Sequence, residues 1–230
     1  MHTVHARWLV LFLPGCLLMA GCEQRQPAAT QPAPVALATW DFDKAEPGQL
    51  PAGFVPGQNN PTKELAVWKV AADAEASSPP NVLTVETYND NATFNLLLIE
   101  GTAYKDLDLS VKVRARTGVH DRGGGIIWRA KDENNYYICR MNPLETNFRV
   151  YKFVDGKRKQ LASAEGIQTE SDKWYTVRAV MSGDHIECYL DGQKLLDVHD
   201  EEFKDAGKVG LWTKADASSA FDDLIVREPR

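Results

Sequence analysis

From Leu37 onward the chain alternates apolar and polar residues with a period of two, most clearly over residues 136–142, 174–181 and 185–190. That period sends successive side chains to opposite faces of an extended strand. Read this way, the sequence predicts strands near 38–42, 66–70, 82–87, 94–99, 107–116, 125–130, 136–142, 148–154, 159–163, 174–181, 185–190, 194–198, 207–213 and 220–227. Each is rich in β-branched or aromatic residues. No stretch carries a sustained 3.6-residue apolar stripe, so no amphipathic helix is expected.

The punctuation agrees with that reading. Asp155-Gly156, Gly183-Asp184 and Asp191-Gly192 each separate two apolar-rich runs, where a tight hairpin needs residues tolerant of positive φ. Short strands with turn signals about every ten residues make an antiparallel two-sheet sandwich. Gly123-Gly124-Gly125 is followed by neither a Lys-Ser/Thr pair nor a helical pattern. It is read as the close-packed start of a strand rather than a phosphate loop.

The first 36 residues follow different rules. Residues 1–21 carry Arg7, no acid, and an apolar stretch from Trp8 to Ala20, which suits a signal peptide and is too short to span a bilayer. The stretch ends in Leu18-Met19-Ala20-Gly21-Cys22, which resembles the bacterial lipobox. That resemblance implies acylation of Cys22 and a lipid-anchored place in the bacterial cell envelope, on its periplasmic or surface face with the outer membrane favoured, and with the membrane as a partner. Met19 stands where the lipobox more often has Leu, Val or Ile. Residues 22–36, rich in Pro, Gln and Ala, read as a flexible tether, and 37–230 as the folded domain. The formal charge of -6 (26 basic against 32 acidic residues) argues against a nucleic-acid partner, since phosphate binding rests on excess Lys and Arg. Cys139 and Cys188 share the inward parity of their strands and are expected as buried thiols; an exported compartment permits a disulfide between them if their backbones lie close enough.

One set of residues carries a family resemblance. The run Trp174-Tyr-Thr-Val-Arg178, Gly183-Asp-His-Ile186, Tyr189-Leu-Asp-Gly192 and Lys194-Leu-Leu196 resembles the core of concanavalin A-like jelly rolls of the laminin-G type. So does the closing stretch Gly207-Lys-Val-Gly-Leu211, Thr213 and Phe221-Asp222. Phe42-Asp43 with Gly48, then Trp68-Lys69-Val70, fits the opening strands. Over 38–228 the chain resembles in particular the bacterial 3-keto-disaccharide hydrolase-like domain. The resemblance implies an all-β, antiparallel two-sheet jelly-roll sandwich with glycans taken on the concave sheet. It further implies a structural calcium held by Asp222 of the last strand, with Asp43 as a second contributor, since oxygen-only ligation suits that ion.

Strand parity then groups the candidate site. It assigns Arg129, Tyr136, Arg140, Asn147, Arg149, Tyr151, Arg178, Glu187 and Tyr189 to a shared non-core face. Guanidinium forks and amphipathic rings suit polyol or carboxylate ligands; the plainer alternative is a solvated face laced with surface ion pairs. Polar turns add Glu145, Lys214 and Asp216 as rim residues, with Glu145 and Asp216 as candidate bases. The Glu-x-Asp-x-x-Glu strand motif of laminarinase-type jelly rolls is absent, which counts against glycoside hydrolysis by paired carboxylates. Proton abstraction next to a carbonyl needs only one base and an electrophile. His120, His185 and His199 lack metal spacing with one another along the chain. The leading expectation is a lipid-anchored carbohydrate-binding protein. The alternatives are a 3-keto-glycoside hydrolase or lyase and a non-catalytic structural protein of the envelope.

Overall fold

The computed structural model of the protein describes residues 1–3 and 35–229. Cys22, almost all of the signal peptide and most of the tether lie outside the described residues, which form fifteen strands and no helix. They are β1 (Ala36–Trp40), β2 (Phe54–Asn59), β3 (Val67–Ala72), β4 (Asn81–Glu86), β5 (Phe94–Ile99), β6 (Leu107–Thr117), β7 (Gly124–Asp132), β8 (Asn135–Asn142), β9 (Asn147–Val154), β10 (Lys157–Glu165), β11 (Trp174–Ser182), β12 (His185–Leu190), β13 (Gln193–His199), β14 (Lys208–Lys214) and β15 (Ser218–Arg227).

Two antiparallel sheets result. One runs β13-β12-β11-β6-β15-β4-β3 with β1 also on β15; the other runs β10-β9-β8-β7-β14-β5-β2. Their facing sides hold the main core, to which Trp128, Met141, Phe148 and Val150 come from one sheet and Val111, Val177, Met181 and Phe221 from the other. The predicted hairpins sit where their residues demanded: Asp155 and Gly156 have φ of 48° and 75°, and Asp191 and Gly192 of 46° and 82°. The pattern missed only β2. Its Pro56 and Gly57 read as a loop, yet the strand lies at a sheet edge, where a proline forfeits no ladder bond.

The β10–β2 sheet is rolled on itself. Its outer face carries a second apolar cluster of Phe94, Leu96, Leu98, Ile127, Ala130, Tyr136, Ile138, Tyr151, Phe153 and Trp212. Phe94 on β5 and Phe153 on β9 are separated by three intervening strands in the sheet. Their ring centroids are nevertheless 4.8 Å apart. Around that contact Tyr136 stacks on Phe153 at 4.5 Å, Trp212 on Phe94 at 5.8 Å, and the Arg158 guanidinium lies over both Phe94 and Tyr151. The β7–β8 and β9–β10 turns close over β2, where Asn59 Nδ2 donates to Asn134 Oδ1 (2.6 Å) and the Gly156 N–H to the Asn134 carbonyl (3.0 Å).

The bend has an identifiable cause. Arg129 has φ of 47°, and the β7–β8 register slips between Trp128 and Asp132, a bulge that turns its strand. Its buried guanidinium donates to the carbonyls of Lys105 (2.6 Å), Phe203 (2.6 Å) and Gly183 (2.8 Å) and pairs with Asp106 (3.2 Å). Arg129→Ala strands these acceptors, so urea denaturation should show a loss of about 3 kcal/mol. Retention of more than about two-thirds of that stability would mean that the bulge holds without its anchor.

Candidate functional site

One end of the roll is polar. The site is built on a single row across the sheet, Leu96, Trp212, Gly125, Arg140, Arg149 and Ser163, each paired with the next. Gly125 is required there, because a Cβ at this position would lie 2.0 Å from the Cys139 carbonyl oxygen. The next row brings Lys214 on β14 and the paired Asn142 and Asn147 on β8 and β9.

These side chains form one network. Arg140, buried, donates to Asn147 Oδ1, to Glu145 Oε2 (2.8 Å) and to the Tyr151 hydroxyl (3.2 Å). Glu145 also accepts from Arg149 (3.3 Å), whose Nε donates to Ser163 (2.8 Å). Asn142 couples this half to the other: its Nδ2 donates to Asp121 Oδ1 (3.0 Å), and its Oδ1 accepts the backbone N–H groups of Leu144 and Glu145. Lys214 Nζ stands 3.6 Å from Asp121 Oδ2 and donates to Asn91. Glu145 and Arg149 are the partly exposed members, at 39% and 25% of side-chain area.

Asp121 is the residue that sequence reasoning missed. It lies in the polar link between β6 and β7, where nothing in the local pattern marks it. It is held there by Asp216, whose carboxylate accepts the backbone N–H groups of Val119 (2.7 Å), His120 (2.9 Å) and Asp121 (3.1 Å). Burial raises the Asp121 carboxyl to about 6, against the pull of Arg140 and Lys214 and with Glu145 adding to the rise. Burial would raise Asp216 as well, but the three N–H donors hold it below its ordinary value. Glu145 is likewise held low, its burial outweighed by Arg140, Asn147 and Arg149. Of the three carboxylates, only Asp121 is tuned towards proton transfer near neutrality. Asp216 is a positioning residue.

The expected single face divides. Tyr136, Arg140, Asn147, Arg149, Tyr151 and Lys214 do share the outer side of the rolled sheet, and Glu145 joins them from the β8–β9 turn. Arg178 and Glu187 lie on the other sheet. There Arg178 grips Asp108 through two bonds of 2.6 and 2.8 Å and covers Tyr189, while Glu187 pairs with Lys194. Parity names a face but not a sheet, so it cannot tell these two residues from those of β8 and β9. Arg129 is displaced by its own bulge and ties loops. Nor is the shared face an open trough: Tyr136 and Trp212 are wholly buried inside the roll. Among the described residues, the Tyr136 hydroxyl and the Trp212 indole N–H have no aligned partner.

The residues assigned to calcium face donors. Asn81 Nδ2 donates to the carbonyls of Phe42, Asp43 and Ala45 at 3.2–3.4 Å, and the backbone N–H of the same residue points at Asp43 Oδ1. Asp222 accepts from the Ser78 N–H (2.8 Å) and hydroxyl (3.2 Å). Calcium gathers about six to eight oxygens around one point; in this structure the Asp43 and Asp222 carboxylates meet the donors of Asn81 and Ser78 instead. Cys139 and Cys188 are free and buried; burial and the neighbouring Cys188 thiol push the Cys139 thiol well above its ordinary range.

Two antiparallel sheets, one rolled around its outer face, define a concanavalin A-like jelly roll of the kind found in carbohydrate-active proteins. Residues 58–227 match the model of the 3-keto-alpha-glucoside-1,2-lyase-like domain, and the chain belongs to that family. It is 22% identical over 144 residues to the levanase of Bacillus subtilis (strain 168), a match that takes in 61% of this chain and 20% of the levanase. The chain thus spans about a fifth of the length of that curated relative. Among solved structures it is similar to the carbohydrate binding module CBM66 from Bacillus subtilis, with a TM-score of 0.61, 20% identity, and 76% of this chain and 96% of that one covered. It is also similar to SCLam, a non-specific endo-beta-1,3(4)-glucanase, with a TM-score of 0.58 at 12% identity, covering 89% and 95% of the two chains. At such identities the structural likeness establishes the fold.

Proposed function

We propose that the protein is an exported, lipid-anchored envelope protein that takes a sugar at the polar end of the roll and removes the C2 proton of a 3-keto-glycoside. The observation that carries this reading is Asp121, a buried carboxylate raised to about 6 with Lys214 Nζ 3.6 Å away and Arg140 beyond. A proton on carbon next to a ketone becomes acidic when the developing enolate oxygen meets a fixed cation. Asp121 takes the C2 proton, the electron pair forms the C1–C2 double bond through the enolate, and the C1–O bond breaks. The departing alkoxide recovers the proton from the Asp121 carboxyl group. Lys214 and Arg140 supply the charge that favours the enolate. Glu145 and Arg149, at the exposed edge, are the groups a sugar meets first.

The test is incubation with 3-keto-glucosides, following release of the aglycone alcohol and of the unsaturated ketone. Binding without turnover would favour a second reading, a non-catalytic carbohydrate-binding protein, to which the 2% exposure of Asp121 lends support. Neither binding nor turnover would remove both. The anchor is tested separately: Cys22→Ser should abolish incorporation of labelled palmitate in a bacterial host and release the protein from membranes. Unchanged labelling would refute acylation at Cys22.

A further inference from the structure

The β12–β13 hairpin, at the edge of the unrolled sheet, brings together histidines that sequence spacing keeps apart. His185 pairs directly with His199, and Glu187 with Asp197. Residues two apart on a strand share a face. All four therefore project from the outer side, opposite Ile186, Cys188 and Leu196 in the core. Metal-ligating atoms of His185, Glu187 and Asp197 lie within 4.8 Å of one another. The two imidazoles stack at 4.7 Å, and His199 Nδ1 lies 3.0 Å from Asp184 Oδ2.

The cluster already holds a cation of its own chain. Lys194 Nζ lies 2.7 Å from both Glu187 Oε1 and Asp197 Oδ2, and Asp197 Oδ1 is 2.7 Å from His185 Nε2. The carboxylates thus converge on one positive charge, with an imidazole nitrogen at its side. Lys194 is half-exposed, on a stem of four methylenes that can swing into solvent.

We propose that His185, Glu187 and Asp197 form a surface binding site for a divalent transition metal, with zinc the best fit and Lys194 as its built-in competitor. One imidazole and two carboxylates are borderline nitrogen and oxygen donors, which suit zinc, and three protein ligands leave a fourth position for water or an incoming group. An all-oxygen ion such as calcium gains nothing from the imidazole. The site lies on the other sheet from the sugar site, so neither reading depends on the other.

The test is calorimetric titration of the full, untagged chain with zinc chloride, alongside His185→Gln, Asp197→Asn and Lys194→Met. All three positions are on the surface, and equal Tm values would confirm intact folding. One zinc equivalent should bind wild type and be lost in His185→Gln and in Asp197→Asn, any binding by His2 or His5 being common to all. Lys194→Met should bind on the order of tenfold more tightly, because the ammonium no longer competes. Retention of the equivalent in His185→Gln, weaker binding by Lys194→Met, or displacement of zinc by millimolar calcium would each overturn the proposal.

Discussion

Replacing Asp121 by Asn should lower the rate of elimination from a 3-keto-glucoside by about 100- to 10,000-fold, the span usual for loss of a positioned base. Only the ionised carboxylate can accept the proton, so wild-type turnover should rise with pH through about 6 and level off above it. The same group leaves a mark on stability. Burial lifts its pKa from 3.8 to about 6, so the folded chain holds this proton more tightly than the unfolded chain does. Its contribution is then most favourable in acid and is lost between about pH 4 and pH 6, by roughly 3 kcal/mol. Asp121→Asn lacks that loss. Relative to wild type it should gain stability as the pH is raised through this window, while turnover disappears. Urea denaturation of both proteins at pH 4 and pH 7 reads the difference, in which the other titrating groups cancel. Turnover kept by the variant would unseat Asp121 as base; parallel pH dependences would unseat its raised pKa.

Much of this architecture is legible in the chain because burial on one face of a strand writes a period of two. Many strands announce themselves that way, whereas β5 reads as a continuous apolar run, Leu96-Leu97-Leu98-Ile99, buried on both faces. β2 does neither, since an edge strand with one wet side tolerates the proline and glycine that normally end strands. The site was legible only as far as parity reaches. Tyr136, Arg140, Asn147, Arg149 and Tyr151 fall together because β8 and β9 are joined by a short turn that fixes their register. Arg178 and Glu187 obey the same parity in a different sheet, and sheet assignment depends on long-range pairing that no local pattern encodes. Arg129 breaks parity through a bulge. Asp121 is placed by three backbone N–H groups gathered on Asp216, 95 residues away. The approach of His185 to His199 belongs to the same class: the register set by the Asp191-Gly192 turn would put His185 opposite Val198, and a register shift between Cys188 and Tyr189 moves it to His199.

Parity also gave no hint of the roll, and Phe153→Ala is the change that tests it most directly. Phe153 is fully buried, stacks on Tyr136 and meets Phe94 across the rolled face. Its truncation should cost about 3–5 kcal/mol, as for any large aromatic removed from a packed interior. Phe148→Ala, five residues back along β9 on the opposite face and in the main core, should cost a similar amount. What separates them is where the structure loosens. Loss of Phe153 removes the contact that keeps β9 and β10 over β5. Hydrogen exchange should therefore quicken at the Gly156 amide, which donates to the Asn134 carbonyl, and along β2, and sugar affinity should fall with it. Phe148→Ala should leave those amides protected relative to its global stability. A double-mutant cycle of Phe94→Ala with Phe153→Ala should return a coupling of about 0.5–1.5 kcal/mol. Additive losses with unchanged exchange at Gly156 would mean that the two rings stabilise separate parts of the sheet, and the roll would then owe its closure to the turns alone.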